Sequence, residues 1–114
     1  MPQLVDIAAN RYWRNVDKTA SYTVTGQDSR RCMTNKAAPG NIVMTLPLAK
    51  AANMLHYKFL VVAAHTITVT PKATDTIRGK ALGASAAAGA AGNLLCLACY
   101  TDGFWEPEIN LGGW

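Results

Sequence analysis

Two cysteines, Cys96 and Cys99, have the Cys-x-x-Cys spacing that redox enzymes and zinc sites use. In redox enzymes the motif stands at a helix N-terminus, which lowers the pKa of one thiol. Here it lies within Leu94–Tyr100, an apolar run that predicts a buried strand. Residues three apart on a strand point to opposite faces, so the two thiols should not meet. We therefore expect two free cysteines in the core and no redox function.

A zinc site would need about four ligands with suitable spacing. The remaining candidates are Cys32, His56 and His65, and none of them is paired in the sequence with another ligand. Three cysteines are an odd number, which argues against a closed disulfide framework. The sequence therefore predicts neither a metal nor a cofactor.

The two histidines and the paired carboxylates are the candidates for acid–base catalysis. Neither His56 nor His65 lies in a recognisable pattern with a nucleophile and an orienting acid, and both are expected to be exposed near strand ends. Glu106 and Glu108 share a strand face only if the strand continues through Pro107, which is tolerated at a sheet edge. No second acidic cluster flanks this pair, so we expect no catalytic residues and no enzyme activity.

Signals for nucleic-acid binding are weak. Gly79-Lys80 lacks the spacing of a phosphate-binding loop, and no Gly-x-Gly-x-x-Gly motif is present. The run Arg11-Tyr12-Trp13-Arg14 mixes cations with aromatic rings, as single-strand binders do. Tryptophan, tyrosine and arginine are also enriched in protein interfaces, so we interpret the run as a contact with a protein partner rather than with a specific nucleic acid.

The composition is that of one small domain of low charge. The chain has 114 residues, of which 50% are hydrophobic and 16% are charged, with a formal net charge of +4. Low charge is compatible with a subunit that hides part of its surface in an assembly. No apolar stretch is long enough for a transmembrane helix, and the N-terminus lacks the pattern of a signal peptide. These features predict synthesis in the cytoplasm and no membrane partner.

The remaining sequence predicts short β-strands. Asn41–Leu46 and Thr66–Thr70 alternate apolar and polar residues, and Tyr57–Ala63 is rich in valine and aromatics. The tight connection at Ala64-His65 favours a hairpin between the last two strands. Asp102-Gly103 indicates another hairpin, between Leu94–Tyr100 and residues 104–106. The glycines and alanines of Leu82–Gly92 favour a flexible loop.

These strands predict an all-β fold, as a single small domain. About eight short strands at this spacing indicate a β-sandwich, a jelly-roll-like sandwich or a barrel. Residues 1–20 lack clean alternation and are expected to form an irregular N-terminal arm, and residues 21–114 to form the β domain. We expect contacts with partners to involve the following residues, at the arm and at two later tryptophans: Arg11, Tyr12, Trp13, Arg14, Trp105 and Trp114.

The order of features from Tyr22 to Trp114 resembles a β module of tailed-phage virion proteins, found in head decoration proteins, head fibres and tail-fibre parts. The matching pieces, in chain order, are Tyr22-Thr23-Val24-Thr25, Asp28-Ser29, Asn35, Ile42–Pro47, Tyr57-Lys58-Phe59, Thr66–Val69, Asp75-Thr76-Ile77, Gly103-Phe104-Trp105 and Gly113-Trp114. Arg30 departs from the pattern, since such modules often carry glycine after the Asp-Ser pair. The alanine–glycine stretch also contains more small residues than the module is expected to have.

The resemblance implies a non-enzymatic, oligomeric protein of the virion. The expected function is decoration of the outer capsid surface as a cement protein, with the major capsid protein and further copies of the chain, as a dimer or trimer, as partners. The alternative is a fibre or adhesin subunit that binds a glycan of the host surface. The expected location is the capsid surface of a virion made in the host cytoplasm.

Overall fold

The computed structural model describes residues 13–114, and these residues form two β-sheets around one core. The ten strands are β1 (Arg14–Asp17), β2 (Tyr22–Thr23), β3 (Arg31–Thr34), β4 (Ile42–Thr45), β5 (His56–Leu60), β6 (Ile67–Thr70), β7 (Thr76–Ile77), β8 (Ala86–Ala88), β9 (Leu94–Thr101) and β10 (Phe104–Leu111). Two single-turn 3₁₀ helices, Gly26–Asp28 and Ala51–Asn53, lie between strands. The predicted all-β character is confirmed.

From β1 to β9, strands that follow each other in the chain alternate between the two sheets. The six-stranded sheet has the order β1-β3-β5-β9-β10-β7, and the four-stranded sheet has the order β2-β4-β6-β8. From β1 to β4, each strand pairs in parallel with the strand two positions later. The chain therefore winds as a β-solenoid rather than as the sandwich, jelly roll or barrel that the strand spacing predicted.

The predicted hairpin at Ala64-His65 is wrong, because this connection carries the chain from one sheet to the other. β5 pairs with β3 and β9, whereas β6 pairs with β4 and β8. The hairpin predicted at Asp102-Gly103 is present, as β9 and β10 are antiparallel neighbours. Gly103 has a φ of +83°, a left-handed conformation that favours glycine in such a turn.

Two further segments differ from expectation. The stretch Leu82–Gly92 contains β8, whose backbone pairs with β6, so hydrogen bonding to a neighbouring strand overrides the low strand propensity of alanine. Within the expected arm, β1 pairs with β3 and belongs to the six-stranded sheet. The sheet therefore begins before residue 20, and residues 1–12 lie outside the described part of the chain.

The core lies between the sheets and takes alternate residues from strands such as β4, β5 and β6. Tyr57 and Phe59 of β5 face Met44 and Val69 of the other sheet's strands, and all four are fully buried. Burial of side chains of this size contributes about 1.5–3 kcal/mol each. The alternation that predicted the strands therefore also predicted their inward faces.

Buried polar side chains hold the connections between the sheets. Asn35 is fully buried; its Nδ2 donates to the carbonyls of Ala63 and His65, and its Oδ1 accepts from the backbone N–H groups of Val62 and Ala63. The side-chain amide of Asn35 thereby makes all the hydrogen bonds it can, and all of them are with residues of one connection between the sheets. Asn35 therefore fixes the turn that carries the chain from β5 to β6.

Asp28 performs a similar function between β2 and β3. Its carboxylate accepts hydrogen bonds from the Tyr22 hydroxyl at 2.8 Å and from the Thr25 backbone N–H at 2.9 Å. Burial alone would raise the pKa of Asp28, but the hydrogen bonds from Thr25 and Tyr22 prevail and lower it. The charged form of Asp28 is therefore the one that fits this corner.

Candidate functional site

The outer surface of the six-stranded sheet, called here the charged face, carries most of the chemically active side chains. Because side chains alternate along β5, burial of Tyr57 and Phe59 places His56, Lys58 and Leu60 on the outside. Their neighbours on β9 are Ala98, Cys96 and Leu94 in the same order. The outer face thus consists of rows of residues that run across the strands.

An irregularity in β10 brings Glu108 to this face. The pairing register of β9 and β10 shifts between Pro107 and Ile109, which leaves Glu108 as the extra residue of a bulge. The strand does continue through Pro107, but Glu106 and Glu108 have different partners. Glu106 forms an ion pair with Arg78, whereas Glu108 lies beside Tyr100 and His56. The two carboxylates therefore belong to different groups of hydrogen bonds and ion pairs.

His56, Tyr100 and Glu108 form a polar cluster on three adjacent strands. The Tyr100 hydroxyl donates to Glu108 Oε2 at 2.5 Å, and His56 Nε2 lies 3.2 Å from Glu108 Oε1 and 3.1 Å from the Tyr100 hydroxyl. The hydrogen bond to Glu108 raises the pKa of Tyr100, and desolvation and the negative charge of Glu108 raise it further. The phenol is therefore held in its neutral, hydrogen-bond-donating form.

Trp13 and Lys58 extend this cluster. The Lys58 ammonium lies 4.5 Å from the centroid of the Trp13 ring, a cation–π contact. The ring of Trp13 also packs edge-on against His56, with centroids 6.4 Å apart. The described end of the predicted arm therefore lies on the charged face, next to the polar cluster.

The thiols of this region are poorly suited to nucleophilic chemistry. Cys96 is buried beneath the charged face, and its Sγ lies 3.9 Å from Glu108 Oε1. Burial raises the pKa of Cys96, and the charge of Glu108 raises it further, so the reactive thiolate is disfavoured. Burial raises the pKa of Cys32 and Cys99 as well.

The geometry also keeps the three thiols unpaired. Cys99 contributes to the core, whereas Cys96 is on the opposite side of β9, as strand geometry predicts. Cys32 and Cys96 are both beside Lys58 in the register, so a whole strand separates them. Two strand spacings are about 9.6 Å, which exceeds the reach of a disulfide.

An apolar row crosses the other end of the charged face. Leu60, Leu94 and Leu111 are register neighbours on β5, β9 and β10, and we call them the leucine row. Leu111 is 57% exposed, and Val62, two residues beyond Leu60, is 40% exposed. Exposed apolar patches with a polar rim are typical of protein-interaction sites.

The outer surface of the four-stranded sheet, called here the threonine face, is chemically different. Thr23, Thr45 and Thr70 form one row across β2, β4 and β6. A second row contains Val43, Thr68 and Ala87. None of the residues in the four strands of this sheet carries a charge. This surface can offer hydroxyl groups and methyl groups, but no ion pair.

The residues expected at interfaces have different locations. Trp105 is fully buried and Trp114 is 4% exposed, so both pack in the core instead of facing a partner. The sequence could not separate a core tryptophan from an interface tryptophan, because both environments favour the residue. Arg14 is exposed on β1, and Trp13 is half-buried on the charged face, whereas Arg11 and Tyr12 lie outside the described residues.

Sequence reasoning missed the polar cluster. His56 was expected to be exposed and without a particular role, but it is half-buried between Trp13, Tyr100 and Glu108. The three members of the cluster come from strands that are distant in the chain, and only the register of β5, β9 and β10 brings them together. The Glu-Pro-Glu sequence was the one available signal, since proline in a strand often accompanies a bulge.

Within residues 13–114, no group of three or more histidine, cysteine, aspartate or glutamate residues has an arrangement that could hold a metal ion. No helix in this part of the chain is both long and apolar enough to cross a bilayer. Comparison with protein-family models gives no match, and a search of the curated proteins gives none.

Proposed function

We propose that this chain is a structural protein of a tailed-phage virion, which binds the outside of the assembled capsid as a decoration or cement protein. The resemblance of residues 22–114 to virion β modules supports this proposal. The residues of that resemblance include Asp28 and Asn35, which lie at the corners of the solenoid. A rigid all-β subunit whose connections are fixed by buried hydrogen bonds is suited to a mechanical role on a capsid.

The threonine face is the observation that carries the proposal. Cores of protein interfaces are depleted in charged residues, and this sheet has none in its strands. Its exposed side chains, such as Thr23 and Val43, are short, so docking costs little rotamer entropy. We infer that this face lies against the major capsid protein.

Stabilisation of the shell would follow from mass action. A protein that binds the assembled capsid better than its separated subunits adds free energy to the assembled state. The added stability should grow with the concentration of free protein relative to its dissociation constant, until the sites are full.

The test is the temperature at which packaged DNA is released from depleted and re-decorated particles. Re-decoration with the wild-type chain should raise this temperature, and the variant Val43→Asp should fail to do so, because it places a charge on the threonine face. Leu82→Asp is the matched control, since Leu82 is an exposed leucine outside both sheets. Equal release temperatures with and without the wild-type chain would contradict the cement function.

A role of the N-terminal arm in capsid binding is a separate prediction. Deletion of residues 1–12 leaves β1 in place, so the domain should keep its fold, as measured by thermal unfolding. Binding to capsids should weaken strongly, because Arg11 and Tyr12 are lost as contacts. Unchanged binding of the shortened chain would contradict the role of the arm and leave that of the threonine face intact.

A second candidate function, binding of a host-surface glycan by a fibre or adhesin subunit, is favoured by one observation. Trp13, Tyr100 and Glu108 converge on the charged face, although the sequence separates them widely. Aromatic rings beside a carboxylate can contact the apolar and hydroxyl sides of a sugar. This function predicts normal release temperatures for depleted particles, together with loss of adsorption to cells.

A further inference from the structure

We propose that the open edge of β1 binds an extended peptide of a partner protein, which adds to the six-stranded sheet as a further strand and carries two carboxylates four residues apart. This site goes beyond the proposed capsid function and does not include the threonine face. The proposal follows from the position of β1 in its sheet, from the direction of its backbone groups, and from the spacing of two cations.

β1 is an edge strand of the six-stranded sheet. Among residues 13–114, β3 is the one strand that pairs with it, and Arg14, Asn15 and Asp17 are exposed. The backbone N–H groups of Arg14 and Lys18 donate to carbonyl groups near the two ends of β3. Because backbone groups of successive residues in a strand point to opposite sides, those of Asn15 and Asp17 point to the open edge. An extended peptide can form hydrogen bonds with such groups.

Two cations lie along the inner side of this edge. Val16 packs against the core, so Arg14 and Lys18, two residues before and after it, are on the same side of the sheet. The Lys18 ammonium lies 3.4 Å from the centroid of the Tyr22 ring, which also packs against the core. Four residues of extended chain place the α-carbons of Arg14 and Lys18 about 13 Å apart. A strand paired with β1 would repeat this spacing in its own side chains.

The positive charge on this side is not balanced within residues 13–114. Arg31 is the register partner of Arg14, and like charges opposite one another on neighbouring strands are destabilising. Asp28 Oδ1 lies 3.4 Å from Arg31 Nη1, while its Oδ2 accepts other hydrogen bonds. In this part of the chain, neither Arg14 nor Lys18 forms an ion pair. A carboxylate on a strand added beside Arg14 would relieve the repulsion.

The outer side of β1 places the opposite demand on a partner. Asp17 alternates with Val16 and therefore points outward, where its Oδ1 accepts a hydrogen bond from Thr34 at 2.6 Å. A carboxylate beside Asp17 would meet a like charge. The geometry therefore favours a peptide with acids at positions i and i+4, an apolar residue between them beside Val16, and uncharged residues on the other side.

Pairing with the strand edge distinguishes this ligand from a nucleic acid. A sugar–phosphate backbone has no N–H groups and cannot continue a β-sheet, whereas a peptide provides both donors and acceptors. The guanidinium of arginine also binds a carboxylate through two parallel hydrogen bonds. Backbone pairing and charge complementarity together favour an acidic peptide.

The first test compares two synthetic peptides of identical composition and charge, both capped at their ends. Thr-Glu-Thr-Val-Thr-Glu-Thr has its acids four residues apart, and Thr-Glu-Thr-Val-Glu-Thr-Thr has them three apart. The first peptide should bind the full chain at least about threefold more tightly, because residues three apart on a strand point to opposite sides. Amide shifts in an NMR titration measure the affinities and should be largest at Asn15 and Asp17. Equal affinities would overturn the proposal.

The second test removes one backbone donor from the open edge. Asn15→Pro deletes an N–H group that points away from β3, and proline is tolerated at such positions of edge strands. Binding of the first peptide should weaken at least about threefold, because one backbone hydrogen bond is lost. Asn15→Ala keeps the N–H group and should bind as the wild type does. Thermal unfolding checks that both variants fold, and equal binding by the two would contradict strand addition.

The third test reverses one charge and does not depend on the proline variant. Arg14→Glu should weaken binding of the first peptide at least about fivefold, since it places like charges opposite one another. Lys80→Glu is the matched control, because this exposed lysine outside both sheets changes the net charge equally. Equal effects of the two variants would reduce the attraction to net charge and overturn the proposal.

Three further results would assign the edge to another occupant and overturn the proposal. The first is peptide binding by a chain that lacks residues 1–12 but not by the full chain, which would assign the edge to the chain's own N-terminal segment. The second is self-association that Asn15→Pro abolishes. The third is a single-stranded oligothymidylate that displaces the peptide and binds Asn15→Pro as tightly as the wild type. No capsid enters these measurements, so their failure would leave the proposed capsid function intact.

Discussion

The threonine face and the charged face are the outer surfaces of two sheets that share one core. Both sheets follow the same alternation, and both contribute large apolar residues to the interior. Their outer residues differ sharply: Thr45, Thr68 and Thr70 on one side, and His56, Lys58 and Glu108 on the other. Packing of the core places few demands on the outer residues, because they point away from it. The contrast between the two faces therefore cannot be explained by the core.

The faces should therefore differ in how they respond to their surroundings. Contacts between uncharged groups depend little on pH or salt, whereas contacts between ionised groups depend on both. If the two faces bind different partners, the two binding reactions should be separable by solution conditions and by single substitutions. The corners that join the sheets should instead affect both reactions together.

The largest expected effect comes from removing the hydrogen bonds that hold a connection between the two sheets. Asn35→Ala removes four hydrogen bonds and leaves two carbonyls and two N–H groups of residues 62–65 without their partner. We expect a loss of about 3–5 kcal/mol in the free energy of unfolding, measured by urea denaturation. Asn41→Ala is the control, because this exposed asparagine accepts a single hydrogen bond, from Thr66, and should cost about 1 kcal/mol. Similar losses for the two variants would show that the Asn35 network is not cooperative.

The corner at Asp28 should make stability depend on acid. The pKa of Asp28 is lowered from 3.8 in the folded chain, so its charge stabilises the fold above the pKa of the unfolded chain. This contribution is lost as pH falls through the lowered folded pKa. Asp28→Asn should cost about 1–3 kcal/mol at pH 6. Thermal unfolding at pH 6 and pH 2.5 should show a smaller decrease for the variant than for the wild type, and equal decreases would contradict the assignment.

Salt should have little effect on binding through the threonine face. Raising sodium chloride from about 50 mM to 500 mM should change capsid binding by a chain that lacks residues 1–12 only slightly, since the strands of the threonine face have no charge to screen. Binding by the full chain should weaken more, because salt screens Arg11 of the arm. A capsid-binding isotherm measures both quantities, and a strong salt dependence of the shortened chain would contradict docking through the threonine face.

The smallest effect is local to the polar cluster. Glu108→Gln removes the carboxylate that accepts the Tyr100 hydrogen bond, so the raised pKa of Tyr100 should fall toward its ordinary value. Ultraviolet titration of the phenol measures this change, with Tyr100→Phe to identify the signal. Glu106→Gln is the matched control, because Glu106 pairs with Arg78 on the other side of the bulge and should leave the titration unchanged.

The alternation of apolar residues predicted individual strands well but not their partners. Asn41–Leu46 and Thr66–Thr70 contain β4 and β6, yet these strands pair with each other rather than with the strand between them. The turn at Ala63–His65 follows from Asn35, 28 to 30 residues earlier in the chain. A contact between residues so far apart in the chain cannot be predicted from the residues of the turn itself. β8 shows the same limit, because its strand conformation depends on β6 and not on its own alanines.

The candidate site was less predictable than the fold. Trp13 and Arg14 were chosen for their residue type, and Trp13 does lie on the charged face. Trp105 and Trp114 were chosen for the same reason and lie in the core. The polar cluster depends on the position of a bulge in β10, and a shift of one residue there would turn Glu108 away from His56.

The three buried thiols have a practical consequence for the measurement of motion. Each is shielded in the folded chain, and burial disfavours the thiolate that labelling reagents attack. Labelling must therefore wait for local opening, so its rate reports the free energy of that opening. Cys99 reports separation of the two sheets, while Cys32 and Cys96 report exposure of the outer layer on two different strands. The labelling rate of each cysteine therefore measures local opening in a different part of the chain, and mass spectrometry can follow the three cysteines separately.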